Sequence, residues 1–206
     1  MIKKGENNMK NKHIHMFLLV SIFIIFILSG INPYDRFTWF LEVLPVIIGG
    51  LILIITYPKF KFSNFVYIFL WIHALILIIG GHYTYAEMPL FNWIKHTFNL
   101  SRNYYDRLGH LAQGFIPALV IREFLIKKHI LNNKKFLNFI VICICLSISA
   151  FYEIIEFIVA ISIGETAESF LGLQGDIWDA QWDMLLALIG SILALFLIKE
   201  KNNIKS

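Results

Sequence analysis

The sequence predicts an all-α integral membrane protein with six transmembrane helices and both termini cytoplasmic. Three observations carry that prediction. First, 58% of the 206 residues are hydrophobic and 16% are charged, with a mean hydropathy of +0.68, whereas soluble domains run near 45–50% apolar and about 25% charged. Second, the apolar excess is gathered into six runs of spanning length or slightly less. Third, the basic residues fall on alternate connections between those runs. Too little chain lies outside the runs for a second folded domain. The expected division is a basic cytoplasmic tail over 1–15, a six-helix domain over 16–198 and a C-terminal cytoplasmic tail over 199–206.

Met1 to His15 is polar and basic, with Lys3, Lys4, Lys10 and Lys12 and no apolar periodicity, so it reads as an irregular tail in which His13 and His15 are solvated. The first span, Met16 to Leu28, ends at Ser29-Gly30-Ile31-Asn32-Pro33. Its basic flank and short apolar stretch resemble a signal peptide, but Ile27 would occupy the −3 position of a cleavage site, and the run reads as an uncleaved helix. Phe40 to Tyr57 is the second span, with Pro45 in its first turns, where backbone N–H groups lack partners anyway. Phe62 to Gly80 is the third, carrying Trp71 and His73. A lone histidine on an apolar span, as at His73 or in the following His82, reads as a hydrogen-bonded structural residue.

The connection from Gly81 to Tyr104 is the longest and is rich in aromatics, which suits a segment lying along the headgroups. The fourth span begins near Asp106 and ends around Phe124; the fifth is Phe136 to Ile161; the sixth is Asp176 to Ile198. Cys143 and Cys145 lie inside the fifth as C-x-C and point to different sides of a helix, so they read as buried small hydrophobes. No internal repeat supports an inverted-repeat transporter.

Six spans place the N-terminal tail, the 57–63 and 122–135 turns and the C-terminus on one side. Fourteen of the 18 basic residues lie there, leaving Arg36, Lys95, Arg102 and Arg107 opposite. Positive charge marks the cytoplasmic side. Carboxylates mirror this, with only Glu6, Glu123 and Glu200 inside. The basic pI near 9.0 is thus a signal of topology and not of nucleic-acid binding.

The candidate site lies at the opposite, extracytoplasmic end. Asp106, His110 and Gln113 are spaced to share one face of the fourth span, Glu153 and Glu156 one face of the fifth, and Asp176, Asp179 and Asp183 one face of the sixth. Asp106 and Asp176 could each simply cap a helix, with Arg107 reaching to the surface. Capping does not account for Asp183, two turns in, nor for Glu153 and Glu156 near the far end of their helix, where a carboxylate opposes the dipole. Carboxylates gathered in a low dielectric require protons, cationic partners or a metal. Arg102, Arg107 and His110 are the cations on that side, and carboxylates with one histidine suit a divalent metal ion, although no ligand signature is present. His110 alone among the seven acidic and histidine candidates has an ordinary pKa near neutrality.

The block Tyr105-Asp106-Arg107-Leu108-Gly109-His110, the Glu-x-x-Glu of Glu153 and Glu156, and Gly175-Asp176-Ile177-Trp178-Asp179-Ala180-Gln181-Trp182-Asp183 together resemble the YjdF-like family of bacterial inner-membrane proteins. The resemblance implies a multi-spanning plasma-membrane protein and brings no reaction, substrate or assigned site with it. The layout is similar, more loosely, to that of VanZ-like membrane proteins, from which no residue role is carried over.

Three functions follow as alternatives. One is a metal- or acid/base-dependent enzyme acting on a lipid-linked or cell-envelope substrate, its pocket lined by the seven residues. A second is a proton- or cation-coupled carrier of small solutes, and the third is a membrane scaffold with a buried polar network. The bilayer is the expected partner in all three, with a lipid or small molecule as ligand and no nucleic acid.

Overall fold

The computed structural model describes residues 2–163 and 174–203. Seven α-helices and no strand occur among them: α1 (Ile2–Ser29), α2 (Arg36–Thr56), α3 (Asn64–Tyr83), α4 (Pro89–Thr97), α5 (Tyr105–Lys127), α6 (Lys134–Ile163) and α7 (Asp179–Asn203). Five of them, α1 from Asn11, α2, α3, α6 and α7, are long and apolar enough to cross a membrane. The protein is therefore an all-α membrane protein. Helix α5 matches them in length at 23 residues, but Asp106, Arg107, His110, Gln113, Arg122 and Glu123 lower its hydropathy.

The chain divides into two compact units, Met1–His82 and Tyr83–Ser206. In the first, polar side chains tie α1 to its neighbours one bond at a time. Trp39 Nε1 donates to Ser29 Oγ at 3.1 Å, Trp71 Nε1 to Ser21 Oγ at 3.0 Å, and His82 Nδ1 to the Ser29 carbonyl at 2.7 Å. His15 lies 2.8 Å from both the Tyr57 hydroxyl and Asn64 Oδ1. Because the amide oxygen can only accept, His15 Nε2 carries the proton and Nδ1 accepts from Tyr57.

Three expectations change here. The segment before residue 16 is helical, not irregular, since α1 begins at Ile2; once an apolar span is formed, each further residue extends it without a new nucleation cost. His15 is bonded rather than solvated. Helix α2 starts at Arg36, where the Asp35 carboxylate accepts from Thr38 N at 2.7 Å. That cap moves the start upstream and leaves Pro45 inside the helix, where it removes one backbone bond. His82 has the structural bond expected of it, whereas His73 Nε2 is buried without a hydrogen-bond partner.

In the second unit, α5, α6 and α7 pack on one another. Helix α6 buries Leu137, Val141, Cys145 and Ser149, four residues at a spacing of four. Glu153 is the next member of that stripe, so the periodicity that builds the core also turns its carboxylate inward. Both cysteines are free thiols, Cys145 buried and Cys143 partly so. Helix α7 does the same with Asp179, Asp183, Ala187, Ser191 and Leu195.

The α5–α7 contact is a backbone-to-backbone seam. A Cβ added to Gly114 would overlap the Ala187 carbonyl, and one added to Gly190 would overlap the Leu111 carbonyl and lie 2.9 Å from Phe115 N. Small residues permit this approach between helices in a bilayer. The pairings of 107 with 183, 114 with 187 and 115 with 190 advance together, so α5 and α7 run parallel. The connection expected to lie along the headgroups contains α4, which starts at Pro89, where the missing N–H costs no helical bond. Its Trp93 is exposed, and Phe91 packs against Tyr105 with ring centroids 5.2 Å apart.

Candidate functional site

The site is built where the first turns of α5 and α7 meet the last turns of α6. Its support begins one step outside the helices, at Asn103, which is fully buried. Asn103 Oδ1 accepts from Tyr105 N at 3.0 Å and so holds the entry to α5, while its Nδ2 donates to the Met88 carbonyl and to Asn92 Oδ1. Gln174 closes a two-way clamp on the same residue, accepting from Asn103 N at 2.8 Å and donating to Asn103 O at 3.0 Å. Gln174 and Gly175 both have positive φ (49° and 84°), a reversal that delivers the chain to Asp176.

Two buried arginines organise one half of the site. Arg107 Nη1 donates to Asp183 Oδ1 at 2.5 Å and to the Asp179 carbonyl at 3.1 Å; Nη2 reaches Asp179 Oδ1 at 2.5 Å and Asp176 Oδ2 at 3.1 Å. Arg102 Nη1 donates to the same Asp179 oxygen at 2.5 Å, and its Nη2 stands 3.5 Å from Asp106. The planar guanidinium fork suits this bridging of several carboxylates, which a point-charge lysine would not reproduce.

His110 organises the other half. It is 6% exposed. Its Nε2 lies 3.5 Å from Asp106 Oδ1 and 3.8 Å from Asp183 Oδ1, and its Nδ1 lies 3.7 Å from Glu153 Oε1. Glu156 is close to the same histidine and to Glu153, all three offering a ligand atom within 4.8 Å of one another. The Tyr152 ring meets the imidazole edge-on at 6.3 Å between centroids. His110 Nδ1, Glu153 Oε1, Asp106 Oδ2 and Gln113 Oε1 are buried without a hydrogen bond. Asp106, His110 and Asp183 likewise bring one ligand atom each within 4.8 Å.

All seven residues singled out by spacing lie in this region, in two subsets joined by Asp106 and Asp183. Two readings are corrected. Asp176 is not on the face of the last helix, because α7 begins at Asp179; Asp176 stands in the preceding turn, where its Oδ1 accepts from Trp178 N at 2.9 Å. It joins the cluster through the arginines instead. Asp106 is not a cap: Tyr104 occupies that position, and Asn103 supplies the bond to the helix start. Nor does Arg107 reach to the surface, being 9% exposed.

Sequence reasoning missed Asn103 and Gln174. An asparagine two residues before a helix is a recognisable signal, whereas a glutamine in a turn carries none. Beside the arginines lies a cleft of about 630 Å³, lined by Arg102, Tyr104, Arg107, Gln174, Asp176 and Trp182 among others.

Comparison with known proteins agrees with the resemblance drawn from the motifs. Inner membrane protein YjdF of Escherichia coli (strain K12) is 43% identical over 173 residues, covering 84% of this chain and 83% of that protein. No solved structure matches the chain. Residues 14–201 match the predicted membrane proteins of DUF2238. A multi-pass protein of the bacterial inner membrane, the chain belongs to the DUF2238 family.

Proposed function

We propose that this protein spans the membrane six times with both termini cytoplasmic, and that the cluster around His110 is an extracytoplasmic acid–base site acting on a lipid-linked or cell-envelope substrate. The observation that carries the reading is the place of His110, buried and within 3.5–3.8 Å of carboxylates from three different helices. Ionisable groups at membrane depth are costly, and a histidine among carboxylates there is a ready proton carrier.

Helix α5 is the sixth span. At 1.5 Å per residue it is about 34 Å long, enough for a bilayer core, and its Arg107 and His110 are turned toward α6 and α7 while Leu108 and Phe124 are exposed. The parallel course of α5 and α7 agrees with six alternating spans, and the excess of lysine and arginine on one set of connections orients them. In this orientation the cleft opens outward, and Arg102 and Arg107 in its wall suit an anionic group such as the phosphate of a lipid carrier. Tyr104 and Trp182 at its edge suit the headgroup layer.

Comparison of the envelope lipids of cells lacking the protein, restored with the native chain or with His110→Ala at equal membrane levels, tests this. A species that changes with the native chain and not with His110→Ala is expected; identical profiles would remove the enzymatic reading. The saturation of Asp179 by both arginines favours a second reading, a scaffold whose polar network only holds helices together. That reading predicts that His110→Ala alters stability and no lipid. A proton- or cation-coupled carrier is the third alternative, and reconstituted vesicles with a pH-sensitive dye address it: flux abolished by Asp183→Asn would establish it.

A further inference from the structure

We infer that Asp106, His110 and Asp183 are the protein ligands of a divalent transition-metal ion of the zinc class, with Glu153 on the far nitrogen of the histidine. The inference rests on the reading of this cluster as the functional site and names what that site holds; with His110 Nε2 on the ion, water at the open fourth position would carry the proton in place of the imidazole.

The distances are the first argument. His110 Nε2 is 3.5 Å from Asp106 Oδ1 and 3.8 Å from Asp183 Oδ1. Both exceed a hydrogen bond, whose heavy atoms sit about 2.7–3.2 Å apart. Two ligands on one tetrahedral ion, each with a bond of ~2.0–2.2 Å, are separated by ~3.3–3.6 Å. The Asp106 separation falls in that range and the Asp183 separation lies about 0.2 Å outside it, so a small inward movement of Asp183 would bring the three atoms onto one ion.

The second argument is independent of the acidic cluster. His110 is 94% buried by its 6% exposure, and its Nδ1 has no hydrogen-bond partner; Glu153 Oε1, 3.7 Å away, has none either. Unsatisfied buried polar atoms cost free energy unless a function retains them. A carboxylate facing Nδ1 is what a metal-bound imidazole has behind it: the proton is held on Nδ1 and the Nε2 lone pair is directed at the ion. Contraction of the Nδ1–Glu153 contact by about half an ångström would complete that bond.

Charge is the third. Asp106, Asp176, Asp179 and Asp183 meet two guanidinium groups, Arg102 and Arg107, while Glu153 and Glu156 lie on the side of His110. The arginines spend their donors chiefly on Asp176, Asp179 and Asp183, leaving the His110 end rich in negative charge. Asp183 Oδ1 accepts from Arg107 as well; a carboxylate oxygen has two lone pairs and can serve both. One imidazole with carboxylates selects against magnesium and calcium, which take oxygen ligands, and the order of divalent affinities places zinc above manganese. Three protein ligands leave a fourth position open, the arrangement of catalytic rather than structural zinc.

The test uses the full chain in detergent, stripped with chelator and titrated with Zn²⁺ against a competing indicator and with Mn²⁺ followed by electron paramagnetic resonance. One ion per chain is expected. Asp106→Asn should weaken Zn²⁺ binding by about 100-fold or more, and Glu153→Gln by about 10–100-fold, while Asp35→Ala, which removes only the helix cap on α2, leaves it unchanged. Nitrogen coupling from a bound imidazole should appear in the Mn²⁺ spectrum and vanish in His110→Gln. Each variant is compared as the monodisperse, helical fraction, so that misfolding is not scored as lost binding. Native protein that binds no more tightly than Asp106→Asn, or nitrogen coupling that survives in His110→Gln, overturns the centre. Absence of an ion together with a His110-dependent lipid change overturns it and leaves the acid–base reading standing. A bound ion with no lipid change supports the centre and removes the enzymatic reading.

Discussion

The two units handle polar groups in an apolar setting differently. Among α1, α2 and α3 the bonded pairs described above are dispersed and neutral: tryptophan to serine, histidine to tyrosine and asparagine, histidine to a carbonyl. In α5, α6 and α7 they are charged, gathered at one end and shared, with one Asp179 oxygen held by both arginines. The first arrangement makes its bonds one pair at a time, so losing one leaves the others intact, although Thr38 Oγ1 and His73 Nε2 are buried there without a hydrogen bond. The second leaves several atoms unsatisfied and makes each ion's cost depend on the rest. Helix cohesion needs only the former, so the latter is where function is to be sought.

Substitutions can break or sharpen that contrast. The largest effect is expected from Arg107→Leu, which strips Asp176, Asp179 and Asp183 of a shared partner. It should cost about 3–5 kcal/mol in detergent unfolding, and Arg107→Lys should not restore it because an ammonium cannot fork between carboxylates. An unchanged unfolding midpoint in Arg107→Leu would show the network to be as local as that of the first unit. Gly114→Ala comes next, at about 1–3 kcal/mol, since its methyl group meets the Ala187 backbone. In the first unit the sign should reverse: Gly49 and Gly50 have nothing within 4 Å of an added Cβ, so Gly49→Ala should stabilise by about 0.5–1 kcal/mol in the same measurement. Trp71→Phe, which removes one bond to Ser21, should cost about 0.6 kcal/mol, the average for such bonds in membrane helices.

Much of this was legible in the chain. Apolar runs report burial in lipid directly, and they located five of the helices to within a few residues. The inward turn of Glu153 followed from the same periodicity as the α6 core. What escaped was cross-helix information. Arg102 and Arg107 were visible as scarce cations, yet nothing in their own neighbourhood says that they meet Asp176, Asp179 and Asp183. The tight fit at Gly114 and Gly190 has no signal in either helix alone, because a seam exists only between two partners. Helix α4 is nine residues long and carries too few turns for its pattern to show. The start of α7 was misplaced by three residues because Asp176, bonded to Trp178 N, imitates a helix start.

The low hydropathy of α5 has a consequence for how the chain is made. Arg107 is neutralised by Asp176 and Asp183, which lie 69 and 76 residues further along. Until those residues leave the ribosome, α5 presents to the insertion machinery a guanidinium and a histidine with too few partners for stable residence in lipid. In the six-span arrangement proposed above, its entry into the bilayer would therefore depend on α7. A chain halted before Asp176 would then have α1, α2 and α3 in place and α5 still waiting at the membrane surface.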